Sequence, residues 1–85
     1  MSQQLFNLYH FPYANGSSKD WAYSDLGDGK AEIRWGPKNR LYQRQIKPLS
    51  ETLKRAHQKE TKGYFDMGMI FLDEKGNRIS ACCGN

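Results

Sequence analysis

The segment "KAEIRWGPKNRLYQRQIKPLSETLKRAHQKETKGY", residues 30–64, changes its hydrophobic period partway along. In "KAEIRW", Ala31, Ile33 and Trp35 alternate with Lys30, Glu32 and Arg34, the period of two that a strand with one core-facing side requires. Past "GPKN", the stretch "RLYQRQIK" (residues 40–47) reads as a further strand. From Pro48 the spacing becomes helical: Leu49, Leu53 and Ala56 share a stripe, with His57 on its border. Ser50 is the expected N-cap, and Glu51 complements the positive end of the helix dipole. Gly63 is the expected C-cap, just after the cations Lys59 and Lys62.

Working outward, "LFNLYHFPY" puts Leu5, Asn7, Tyr9 and Phe11 on one face and Phe6, Leu8 and His10 on the other. Pro12, which cannot donate to a ladder, ends this strand or keeps it at an edge. Asn15-Gly16 supplies a turn, and "KDWAYSDL" returns as a second strand with Trp21 and Tyr23 on one face. Asp28-Gly29 then closes a tight hairpin into Lys30. On the C-terminal side, "MGMIFLDEKGNRISACC" predicts a hairpin over residues 67–83 that turns at Lys75-Gly76-Asn77. The whole predicts an α+β fold: a twisted antiparallel β-sheet, one α-helix packed across it, and a C-terminal β-hairpin.

A chain of 85 residues makes one domain, residues 1–85, because two independent cores would not fit. Two Trp, five Tyr and four Phe fill a small core efficiently. With a mean hydropathy of −0.87 and no apolar run near the ~20 residues of a spanning helix, a membrane protein is not expected. The N-terminal sequence lacks a basic segment followed by an apolar one, which predicts no signal peptide and a cytoplasmic location. Cys82 and Cys83 are adjacent, a poor geometry for a disulfide, and read as reduced thiols. His10 and His57 have no companion at metal-ligand spacing, so neither metal nor cofactor is expected. No nucleophile motif, phosphate loop or metalloprotease motif occurs, and the sequence does not predict an enzyme.

Charge is distributed unevenly. Residues 30–62 carry ten cations against Glu32, Glu51 and Glu60, while the remainder of the chain is net negative. A one-sided basic block is an electrostatic footprint for polyanions. Within it, Trp35 ends a strand, Gly36 permits close backbone approach, and Pro37 and Asn39 shape a rigid turn displaying Lys38 and Arg40. An indole among cations suits stacking on a base or sugar while the cations neutralise phosphates. The expected nucleic-acid-binding residues are Arg34, Trp35, Gly36, Lys38, Arg40 and Arg44. The competing expectation is an acidic protein partner docking on the same face, with the chain a monomer or weak homodimer. A third expectation is an adaptor whose tail hairpin, through an exposed edge at the apolar "MGMIFL", adds a strand to a partner or to itself.

The span from Ser18 to Tyr64 resembles a WGR domain, the module named for a Trp-Gly-Arg signature. "SKDW" opens one strand, "KAEIRWG" closes the next, and the basic strand "RLYQRQIK" leads to a helix ending in "KETKGY". The resemblance implies an antiparallel sheet with one helix, and contact with DNA of the kind such modules make in poly(ADP-ribose) polymerases. By position, Trp35 would meet the sugar-phosphate and Gly36 would allow close approach. Pro37 stands where the signature arginine would be and brings neither charge nor amide donor. Lys38 and Arg40 are the cations near enough to replace it.

Overall fold

The computed structural model describes residues 4–79. Cys82, Cys83 and the far end of the expected C-terminal hairpin lie outside that range. Six strands form one sheet: β1 (Gln4–Pro12), β2 (Ser18–Asp25), β3 (Lys30–Pro37), β4 (Gln43–Pro48), β5 (Phe65–Leu72) and β6 (Arg78–Ile79). Their order is β4-β3-β2-β1-β5-β6, and every pairing is antiparallel. The first four strands form a meander. Helix α1 (Leu49–Lys62) then crosses one face of the sheet and delivers β5 to the free side of β1. The fold is therefore the expected α+β sheet with a single helix across it. No helix among the described residues is long and apolar enough to cross a membrane.

Local chemistry sets each corner. In the β1–β2 turn, the Asn15 carboxamide oxygen accepts bonds from the Ser17 amide and hydroxyl, at 3.0 and 2.7 Å. In the β5–β6 turn the Asp73 carboxylate accepts from the Asn77 and Lys75 amides, both at 2.9 Å. Those bonds, the Asn77 amide's foremost, hold the Asp73 carboxyl below the usual carboxylate range. This turn falls where Lys75-Gly76-Asn77 predicted it.

The strand alternation holds. On the helix side Tyr9, Trp21 and Ile33 pack with Ala56 and Tyr64, and Phe11, Tyr23 and Trp35 flank them. On the other side Phe6, Leu8, Ala22, Leu41, Ile70 and Leu72 form a second core. Both faces of β3 are consequently buried, from Ala31 through Arg34.

Three expectations need correction. The helix begins at Leu49, with Pro48 rather than Ser50 at the N-cap and no side-chain cap. The Leu49 amide instead donates to Gly29 O at 2.8 Å, tying the helix start to the β2–β3 turn. The buried helical stripe runs through Thr52 and Ala56, leaving Leu53 48% exposed. Thr52 can lie inward because its hydroxyl donates to Pro48 O at 2.9 Å. Finally, residues 40–42 precede β4 rather than belong to it. Asn39 adopts a left-handed φ of 65°, and the chain turns so that Leu41 drops into the second core, fully buried. That burial stabilises the fold by about 2 kcal/mol.

Leu41 also anchors a closure of the sheet. Its amide donates to Gly76 O at 2.8 Å, the Arg78 amide donates to Asn39 O at 3.2 Å, and Arg40 bridges to Asn77. The segments leading into the two edge strands, β4 and β6, thereby meet, and the sheet curls around the second core. Gly76 permits this approach: a Cβ there would run into the Leu41 carbonyl.

Candidate nucleic-acid interface

The helix-side face ends in a groove where the start of β2 meets the end of β3. Lys19 pairs with Pro37, Asp20 with Gly36 and Trp21 with Trp35, so both indoles project from adjacent strands toward α1. Gln43 and Gln45 of β4 lie beside Trp35 and Ile33 in register and share that face. The groove has a volume of about 380 Å³. Trp21 and Ile33 are buried beneath it, Trp35 and Gly36 lie at the strand end, and the two glutamines form the β4 wall.

The helix supplies the opposite wall. Lys59 follows Ala56 by three residues and therefore continues the buried stripe. Its Nζ lies 5.6 Å from the Trp21 ring centroid and 4.9 Å from that of Tyr64. Arg55 and Lys19 complete this wall. A second depression of about 340 Å³ continues past them, lined by Phe11, Tyr13 and Lys62, and shares Lys19, Lys59 and Tyr64 with the first. Its rings pack together, Phe11 lying edge to face with Tyr13 at 5.3 Å and tilted against Tyr64 at 5.0 Å.

The electrostatics are one-sided. Burial, then the nearby Lys19, Lys62 and Arg55 charges, lower the Lys59 pKa. Lys19 is held above the usual lysine range by the hydroxyls of Tyr13 and Tyr64. Among the described residues, the carboxylate that pairs with any of these four cations is Glu51, 3.5 Å from Arg55. Lys19, Lys59 and Lys62 thus pair with no carboxylate among the described residues, Asp20 at the groove being bonded to His10 and the Asn39 amide. Ring faces that attract cations partly offset their repulsion.

The expected site residues divide between the two faces. Trp35 and Gly36 line the groove, and a Cβ on Gly36 would run into the Arg40 carbonyl. Lys38 and Arg40 are exposed on the turn beyond it and do not line it. Arg34 is a correction: it is 6% exposed on the opposite face and serves the interior. Its Nε donates to Glu32 at 2.9 Å, and its terminal nitrogens donate to Glu74 O at 2.8 Å and Leu41 O at 3.4 Å. Arg44 is a second correction. It pairs with Arg34 in register and donates to the same Glu32 oxygen at 2.9 Å, so it is exposed on the wrong face for Trp35.

Lys19, Arg55, Lys59, Lys62, Tyr64 and the two glutamines were not anticipated as site residues. Lys19 stands two positions before Trp21 and Lys59 three after Ala56, so strand and helix periods could have found both. Comparison with protein-family models, with curated proteins and with solved structures returns no match.

Proposed function

We propose that this chain is a WGR-like nucleic-acid-binding module that contacts the DNA sugar-phosphate backbone through its basic, tryptophan-bearing groove. The observation that carries this reading is the crowding of Lys59 by Lys19, Lys62 and Arg55 over an aromatic floor. Arg55 has Glu51, but Lys19, Lys59 and Lys62 have no ion-pair partner among the described residues and repel one another in the free protein. A phosphodiester chain relieves that repulsion and releases its own counterions on binding. Trp35 and Gly36 keep the roles that the resemblance implies, while Lys19, Arg55, Lys59 and Lys62 take those expected of Arg34 and Arg44.

The test is a fluorescence titration of labelled DNA, single-stranded and duplex, at low and moderate salt. Affinity falls steeply as salt rises, and the Lys19→Glu, Lys59→Glu, Lys62→Glu triple variant binds neither form. No binding of either form by the parent protein at low salt would sink the proposal.

A further inference from the structure

We infer that the groove takes two successive nucleotides of single-stranded DNA, one base in each depression and the intervening phosphate on Lys19 and Lys59. This rests on the nucleic-acid reading above and specifies the form of nucleic acid. The two depressions alternate in chemistry as a single strand does. The first offers the Trp35 indole, and the second offers Phe11 and Tyr13. Between them stand the residues they share, two of which are ammonium groups. Aromatic, cationic, aromatic is the order base, phosphate, base.

Duplex DNA does not fit that order. Its bases are stacked inward and its outer surface presents phosphate ridges, which suit a flat or convex basic face. A recess of about 380 Å³ floored by Trp21 and Ile33 is instead the size and character of a site for one small aromatic ring system. Its β4 wall has the polar groups such a ring needs. Gln43 and Gln45 make no side-chain hydrogen bond among the described residues, and each carboxamide offers a donor and an acceptor to a base edge. β4 is an edge strand, paired with β3 alone among the described residues.

The experiment compares a short labelled single strand of mixed sequence, its blunt duplex and a mononucleotide, by anisotropy at one salt concentration. The single strand binds about tenfold or more tightly than either, in keeping with base–aromatic stacking at each depression. Tyr13→Ala, at an exposed turn residue, and Trp35→Ala each weaken single-strand binding about tenfold or more, and single-strand binding unchanged in Tyr13→Ala would overturn the inference. Thermal melts of both variants verify folding, and Tyr13→Ala carries the test if Trp35→Ala fails to fold. Duplex binding as tight as single-strand binding would overturn this inference while leaving a nucleic-acid module in place. A mononucleotide as tight as the strand would overturn the two-nucleotide track. Absence of binding to all three would overturn both the inference and the reading beneath it.

Discussion

Replacing Arg34 by alanine removes the guanidinium that joins β3 to both the Leu41 turn and the β5–β6 turn. Three acceptors lose their donors: the Glu32 carboxylate and the carbonyls of Leu41 and Glu74. Glu32, 4% exposed, then retains Arg44, whose side chain is 54% exposed and held by a single bond. Breaking a buried pair from one side costs about 3–5 kcal/mol, because the remaining charge stays desolvated. A domain of 85 residues has roughly 4–13 kcal/mol to lose. Urea unfolding followed by tryptophan fluorescence should therefore show loss of about 3–5 kcal/mol, and thermal melts a drop on the order of 20 °C. Arg44→Ala is the control. It removes the half-exposed partner and should cost about 1 kcal/mol or less. If Arg34→Ala stayed within 1 kcal/mol of the parent by the same measurement, Arg34 would not be the internal brace described above.

Gly76→Ala forces a Cβ against the Leu41 carbonyl and should destabilise by about 1–3 kcal/mol in the same urea assay. Burial, then the Asp66 carboxylate, push the Tyr9 phenol up to about 12. The native state keeps this proton longer than the unfolded state, so the contribution is whole below pH ~10 and lost between pH ~10 and ~12. The loss amounts to at most about 2–3 kcal/mol, and Tyr9→Phe should abolish that part of the alkaline destabilisation in paired urea melts. Lys59→Ala should lower the slope of log affinity against log salt by about 0.7 for single-stranded DNA, the share of one phosphate contact. An unchanged slope would remove Lys59 from the interface.

The parts of the fold that depend on one strand or one turn were readable from the sequence. Ala31, Ile33 and Trp35 against Glu32 and Arg34 fixed the faces of β3, and the Asp73–Asn77 corner followed from its own residues. What was misread depends on partners distant along the chain. Leu41 leaves the expected strand because Gly76 receives its amide, a pairing across 35 residues. Thr52 rather than Leu53 faces inward because its hydroxyl has a local acceptor, which hydrophobicity alone does not register.

The site divides in the same way. The alternation that put Arg34 opposite Trp35 was visible, but its complete enclosure depends on Glu74, forty residues on. A count of cations along residues 30–62 gave the sign of the charge and not its face. The face comes from the crossing of α1 over β2 and β3, which brings Lys59 onto Trp21 and up to Lys19.

Amide and side-chain chemical shifts of the labelled protein, followed as single-stranded DNA is added, report the bound surface residue by residue. Binding through the helix-side groove predicts the largest, saturable changes at Lys19, Trp35, Gln43, Gln45, Lys59 and Tyr64, with the Trp35 indole N–H foremost. The Arg34 and Arg44 side chains on the opposite face stay still. Changes centred on Arg44 and Ile46, or on the exposed Met67 and Met69 of β5, would contradict the groove as the binding surface.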